Sequence, residues 1–312
     1  MNTDETRILI EAPDFDLAKT LDSGQVFHWE RVGEGFIGMI GDTPIYLAQA
    51  RDRLLVRQWS ATLRRRVFDS ANDAMTEHRA PPPSQALVRH YFALDHPLSE
   101  ICAAFPNDPA MVAARDFCRG LRIIRQPLWE CLATFICSSM KQVAHIRQMS
   151  RALRERFGTR HHALYVSHVY AFPDATRLAR ATEKELRECA LGYRAKNLLT
   201  TARRVAGGKA DLASWRSLAD DELRARLCEL PGVGAKVANC VMLFAYERLR
   251  AFPIDVWIER VLKEKYFARK RKVTPQRLRE FCDSYFGEHG GYAQQYLFHH
   301  ARKTAARKRK PG

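Results

Sequence analysis

Along the first sixty positions, apolar side chains fall in short or alternating runs at residues 7–11, 26–31, 35–40, 44–48 and 54–58. Such runs, bounded by turn residues, are the pattern of strands with a buried face. Gly33-Glu34-Gly35 and Gly41-Asp42 punctuate them. The pattern predicts an antiparallel sheet, with residues 14–21 forming a helix across it and 63–69 opening another helical stretch. The triple proline Pro81-Pro82-Pro83 predicts a rigid connector or the start of the next helix. From about Ser84 onward the spacing becomes helical. Residues 129–138 are densely apolar and predict a buried helix, and 141–157 an amphipathic one. Further helices are predicted over 183–190, 193–206, 220–230, 236–246, 254–266 and 275–285. Gly192, Gly207-Gly208, Gly232 and Gly287 stand near their ends. No internal repeat stands out, and the class predicted is α+β.

Length and composition add a partner. The 312 residues suffice for a full core divided into two or three subdomains. The hydrophobic share of 46% and charged share of 28% are ordinary, but the net charge of +16 is not. Six of those charges sit in residues 301–312 without an acidic residue, leaving about +10 on the rest. A folded body with that excess attracts polyanions, nucleic acid first among them, unless it is simply a solvated basic surface. The stretch 269–272 and the tail read as polyanion contacts or as solvated charge, the tail more naturally as solvated charge.

Eight cysteines (Cys102, Cys118, Cys131, Cys137, Cys189, Cys228, Cys240 and Cys282) form no C-x-x-C pair and mostly have apolar neighbours. They predict reduced core thiols and an intracellular setting: cytoplasm or nucleoid in a bacterium, nucleus in a eukaryote. The polar, acidic start Met1-Asn2-Thr3-Asp4-Glu5 predicts no signal peptide. No run of about 18 apolar residues predicts a membrane span.

The densest chemistry lies between residues 230 and 255. Leu230-Pro231-Gly232-Val233-Gly234 joins two predicted helices, and its glycines permit positive φ and close backbone approach. The second helix then points free N–H groups and the positive end of its dipole outward, which suits a DNA phosphate without base specificity. Carbonyls of the loop could also hold a monovalent cation. A simple helical corner is the alternative, but the full L-P-G-V-G pattern is much more specific than a lone G-x-G. Lys236 precedes Val237, Ala238, Cys240, Val241, Leu243 and Phe244. Held against such a surface an amine loses hydration, which favours its neutral, nucleophilic form. Alone, Lys236 reads more simply as a surface or phosphate-binding lysine. Asp255, in Phe252-Pro253-Ile254-Asp255-Val256-Trp257, reads as the N-cap of a helix, as a carboxylate stabilising positive charge on a sugar, or as both.

With these residues and four further segments, the chain resembles the 8-oxoguanine DNA glycosylase/AP lyase family of the helix–hairpin–helix DNA glycosylase superfamily. The segments are Asp22-Ser23-Gly24-Gln25-Val26-Phe27-His28-Trp29, Phe135-Ile136-Cys137-Ser138-Ser139, Leu191-Gly192-Tyr193-Arg194-Ala195-Lys196 and Ala293-Gln294-Gln295-Tyr296-Leu297-Phe298. They follow the family's order over most of the chain. The resemblance implies an N-terminal antiparallel β-sheet domain with helices over 1–92. A two-lobed all-helical domain would follow over 93–300, its helix–hairpin–helix at about 220–246; the basic tail over 301–312 is expected, from its charge run, to be disordered. The resemblance implies a monomer acting on double-stranded DNA that contains 8-oxoguanine, with no cofactor.

The resemblance also implies roles. Lys236 would be the Schiff-base nucleophile and Asp255 its electrostatic and proton-transfer partner. The Gly24 carbonyl would accept N7–H of 8-oxoguanine, a donor that guanine lacks, so an unmatched buried acceptor would penalise the normal base. Cys240 and Phe298 would sandwich the flipped base, and Gln294 would bond its Watson–Crick edge. Cys240 lies one helical turn beyond Lys236, as this requires. Gly232, Val233 and Gly234 would hold the backbone. Base extrusion costs a few kcal/mol and leaves a gap to fill.

Here the chain departs from the family. Met140, Lys141 and Gln142 replace a run of asparagines, and His145 replaces an arginine expected on the opposite cytosine, whereas Tyr193 and Arg194 are kept. Met140 can wedge but cannot match asparagine's hydrogen bonds, so weak discrimination of the opposite base is expected. Trp257 replaces a histidine, which puts a phosphate contact there in doubt. Only Cys282 lies beyond residue 240, too few ligands for the iron–sulfur cluster of another branch, and no zinc spacing occurs. Two rivals remain: a glycosylase for another lesion such as alkylated bases, which often lacks the lysine, and a non-catalytic DNA-binding hairpin protein.

Overall fold

A computed structural model describes residues 5–59, 85–163, 165–268 and 272–308. The helix predicted over 63–69, the triple proline, residues 269–271 of the basic stretch and residues 309–312 lie outside them. The chain opens with five strands, β1 (Glu5–Glu11), β2 (Glu30–Val32), β3 (Gly35–Ile40), β4 (Thr43–Ala50) and β5 (Arg53–Trp59). They form one antiparallel sheet in the order β1-β5-β4-β3-β2, with Ile8 opposite Val56 and Ile37 opposite Tyr46. Helix α1 (Leu17–Asp22) starts at Asp16, whose carboxylate accepts the Lys19 N–H. Together with α2 (Gln85–Tyr91) it closes a core of Ile10, Leu47, Leu54, Val56, Trp29 and Phe92 beneath the sheet.

The remainder is mainly helical: α3 (Leu98–Ala103), α4 (Pro109–Phe117), α5 (Leu128–Cys137), α6 (Val143–Phe157), α7 (Ala175–Ala179), α8 (Glu183–Leu186), α9 (Arg194–Ala206), α10 (Asp220–Cys228), α11 (Ala235–Ala245), α12 (Val256–Tyr266), α13 (Pro275–Tyr285) and α14 (Gly290–Lys308). A two-stranded hairpin of β6 (Arg160–His162) and β7 (His168–Tyr170) interrupts them. Helices α5 and α11 are mostly apolar and buried on nearly every side, so they occupy the centre rather than an edge. Eight of the ten residues of α5 and nine of the eleven of α11 are buried.

Three departures from the predicted elements have physical reasons. Residues 26–29 are no strand: Val26 and Trp29 enter the sheet-side core while Phe27 enters the helical one, so the segment ties the two bodies together. Beside it the buried His28 ring sits 3.2 Å from the Glu130 carboxylate, which also pairs with Arg154. Residues 187–191 leave α-helical geometry, with Ala190 at φ +62°. Finally, α14 runs through Lys308, so residues 301–308 are helical instead of a disordered tail. The anchors are Arg302 on the Asp22 carbonyl and Lys303 on the Asp22 carboxylate.

Candidate active site

The turn between α10 and α11 is fixed from inside. Val233 is buried, its N–H donates to the Leu230 carbonyl at 3.0 Å, and Thr201 Oγ1 donates to the Pro231 carbonyl at 3.1 Å. Gly232 has φ +84°, and a Cβ there would lie 2.9 Å from Asn197 Cβ and 3.2 Å from Ile136 Cγ2. Geometry and space both demand glycine. Gly234 caps α11 without a side chain, and a Cβ on it would meet open space. The first N–H groups of α11 therefore face outward, as an anion requires.

One turn in, Lys236 is half-buried. Its Nζ donates to Ser138 Oγ at 3.0 Å and lies 5.2 Å from the centre of the Phe135 ring, which stacks on Phe244. Cys240 follows on the same face, fully buried. Burial pushes its thiol up to about 11, against the opposing charge of Lys236. Asp255 caps α12, with Oδ1 accepting the Ile258 N–H at 2.8 Å. Burial raises its pKa above the ordinary carboxylate value, while that N–H and Lys236 act the other way. Cap and carboxylate are thus one group: one oxygen is spent on the helix, and the amine feels the charge.

A second group gathers around Gly24. Gly24 has φ +88°, and a Cβ on it would lie 3.1 Å from Phe298 Cε1 and 3.3 Å from Val143 Cγ2. The loop around it is held by three buried glutamines: Gln25 Nε2 on the Arg122 carbonyl at 2.8 Å, Gln126 Nε2 on the Gln25 carbonyl at 2.8 Å, and Gln295 Nε2 on the Ser23 carbonyl at 3.0 Å. With Arg302 on the Asp22 carbonyl, the carbonyls of 22, 23 and 25 are all bonded. Among the described residues, nothing donates to the carbonyl of Gly24. Gln294, one turn before Phe298, is buried and its Oε1 has no partner.

The residues expected to meet the DNA gap divide. Met140 is 86% exposed at φ +56°, a bare apolar side chain at the tip of its turn. Lys141, His145 and Tyr193 are exposed too. Arg194 is not: it is buried, donates to the Ser139 and Leu191 carbonyls, and lies 4.4 Å over the Tyr193 ring. It braces the Met140 turn from behind instead of facing a base. Trp257 carries Arg260 at 5.5 Å over its ring. Sequence reasoning gave no role to Ser138, Arg302 or the three glutamines. The available signal was polar residues set among apolar neighbours, as in Phe135-Ile136-Cys137-Ser138.

Among the described residues, no group of three or more His, Cys, Asp or Glu side chains could hold a metal ion. No helix of the described residues is long and apolar enough to cross a membrane.

Two family models match. One, described as 8-oxoguanine DNA glycosylase, N-terminal domain, covers residues 7–132, and another, described as HhH-GPD superfamily base excision DNA repair protein, covers 133–285. The Arabidopsis thaliana N-glycosylase/DNA lyase OGG1 is 30% identical over 297 residues, covering 91% of this chain and 77% of that protein. The Clostridium acetobutylicum 8-oxoguanine glycosylase/lyase, solved with double-stranded DNA containing cytosine opposite 8-oxoguanine, superposes with a TM-score of 0.84 at 28% identity. The match covers 98% of this chain and 99% of that one. A 3-methyladenine DNA glycosylase from Archaeoglobus fulgidus shares the fold, with a TM-score of 0.74 at 17% identity over 96% of this chain and 99% of that one.

Proposed function

The chain belongs to the 8-oxoguanine DNA glycosylase family, and from that premise we propose how its own residues remove 8-oxoguanine and cut the strand. The α10–α11 turn takes a backbone phosphate on the open N–H groups of α11. The Gly232 and Val233 carbonyls accept nothing from the described residues and would hold a monovalent cation, which would supply positive charge for the DNA backbone. Met140 enters the stack as the lesion leaves it, with Lys141, His145 and Tyr193 along the same face. Arg194 holds the Met140 turn in place.

The extruded base lies between Phe298 and Cys240. Its N7–H donates to the Gly24 carbonyl, and its Watson–Crick donors meet Gln294 Oε1. The observation that carries this reading is that pair of unmet acceptors, which leaves the site incomplete without a donor-rich base. The Lys236 nitrogen then bonds to C1′ as the N-glycosidic bond breaks, its electrons leaving with the base. The Asp255 carboxylate stabilises the positive charge that builds on the sugar and takes a proton from the lysine nitrogen. Asp255 returns that proton to O4′ as the ring opens to an imine. It then takes a C2′ proton, and the electrons of the C2′–H bond expel the 3′ phosphate and complete β-elimination. An amine and a carboxylate suffice for every step, so no cofactor is required, and the site is complete within one monomer.

Borohydride reduction of the imine tests the assignment. With an 8-oxoguanine duplex the protein is expected to become covalently linked to DNA. Lys236→Gln should abolish the adduct while keeping duplex binding. An adduct that survives Lys236→Gln overturns the assignment, and tight binding with no adduct in the parent protein returns it to a non-catalytic hairpin.

A further inference from the structure

The basic end of the chain is not spent on solvent. Gln294, Phe298 and Arg302 stand at successive turns of α14 and form one stripe facing Gly24. Beside it, Asp22 is already neutralised: Arg147 Nη2 takes one carboxylate oxygen at 3.0 Å and Lys303 Nζ takes the other. Arg302 is therefore not needed as a counter-charge. Its Nη2 donates to the Asp22 main-chain carbonyl, and its guanidinium carbon lies 5.7 Å from the centre of the Phe298 ring. Its Nη1 stands 3.7 Å from where a Cβ on Gly24 would be.

Most donors of this guanidinium are unused. Nε is buried without a partner, and among the described residues none accepts from Nη1. A guanidinium carries five N–H donors in a fixed fork, and leaving them unmet at a half-enclosed site is costly. The free edge lies beside the backbone that the proposed function assigns to N7–H of the lesion. On 8-oxoguanine the neighbour of N7–H is O8, an acceptor, whereas guanine carries C8–H there.

We infer that Arg302 is a second reader of the lesion, donating from Nη1 to O8 alongside the N7–H bond to Gly24. This rests on the base pocket proposed above. Gly24 tests for the donor that oxidation creates, and Arg302 tests for the acceptor. A guanine satisfies neither. The fixed positive charge beside O8 also stabilises electron density arriving on the departing base.

The test uses the full chain with Arg302→Leu and Arg302→Lys. Single-turnover excision is measured on duplexes carrying 8-oxoguanine or 8-thioguanine opposite the same base, with borohydride trapping at a preformed abasic site alongside. 8-Thioguanine keeps N7–H but replaces O8 with sulfur, a weak acceptor. Arg302→Leu should slow 8-oxoguanine excision about 10- to 100-fold, as loss of a charged hydrogen bond does. It should slow 8-thioguanine excision less than about threefold and leave abasic-site trapping unchanged, with Arg302→Lys recovering part of the loss. Equal slowing on all three substrates makes Arg302 a structural support and overturns the inference, as does unchanged 8-oxoguanine excision. Failure of the Lys236 assignment shows separately, as a trapped adduct that survives Lys236→Gln.

Discussion

Replacing Gly24 by alanine adds one methyl group at the point where the loop, Phe298 and Val143 come closest. Its cost can be worked from the structure. At φ +88° a side-chain-bearing residue is strained, on the order of 1–3 kcal/mol. The new Cβ would also lie 3.1 Å from Phe298 and 3.3 Å from Val143, which adds about 1 kcal/mol of overpacking. The chain can relieve this in two ways. The loop can rotate, carrying the Gly24 carbonyl out of line, or Phe298 can be pushed from the face that stacks on the base. Both remove a contact to the lesion. If neither moves, the strain remains as lost stability. A total of about 2–4 kcal/mol corresponds to a roughly 30- to 900-fold loss, divided between excision rate and folding equilibrium. Single-turnover excision of 8-oxoguanine and a calorimetric melt of the same Gly24→Ala protein measure both parts. Lyase action on a preformed abasic site, which needs no base contact, should hardly change. A variant that excises within threefold of the parent and melts at the same temperature refutes this account of the pocket.

Three further outcomes are expected. With a bare Met140 at the turn tip and Arg194 held by the Ser139 and Leu191 carbonyls, the arginine is not free to make a paired hydrogen bond to the opposite base, a contact worth about 1–3 kcal/mol of discrimination. Excision opposite C, A, G and T should therefore agree within about tenfold, and an overwhelming preference for C sinks the argument. Asp255→Asn keeps an N-cap acceptor for Ile258 but removes the charge, so excision should fall at least about 100-fold while the fold survives. Because burial raises the Asp255 pKa, the folded state holds this proton more tightly than the unfolded state. The stability it contributes is present below the ordinary carboxylate pKa and falls away as pH rises through the raised value. Calorimetry should find Asp255→Asn melting above the parent at pH 8 and level with it well below that window. A lower melting temperature at pH 8 contradicts the reading.

How far the sequence carried the fold depended on whether the signal was local. The alternation in residues 35–40 and the apolar run at 129–138 each report the environment of one element, and the structure has β3 and α5 there. Residues 26–29 misled because their apolar side chains divide between two cores, a fact set by the partner surfaces and not by period. The end of α14 misled differently. A basic run reads as solvated charge, and only the fold brings Asp22 to Arg302 and Lys303 across some 280 positions. The hairpin was legible because backbone geometry forces its residue types: Gly232 has both a positive φ and no room for a Cβ. Ser138 was not, since its role exists only once α5 and α11 pack and bring it to Lys236.

The site's chemistry and its cost to the fold have a common origin. The carbonyl of Gly24, Oε1 of Gln294 and Nε of Arg302 lack partners among the described residues, and Asp255 holds a carboxylate where burial disfavours the charge. The buried ones, Gln294 Oε1, Arg302 Nε and the Asp255 carboxylate, are unfavourable in the free protein. The Gly24 carbonyl belongs to a loop that Gln25, Gln126 and Gln295 hold tightly. The rigid loop prevents the unmet groups from collapsing onto one another, so they remain available to a flipped base. In the pocket as proposed, 8-oxoguanine would meet the acceptors with N7–H and its Watson–Crick donors, and the arginine with O8. Guanine leaves the Gly24 carbonyl and the arginine edge unmet after paying the same cost of extrusion. Selectivity then comes from what remains unsatisfied when the wrong base enters, which requires a pocket that is itself unsatisfied when empty.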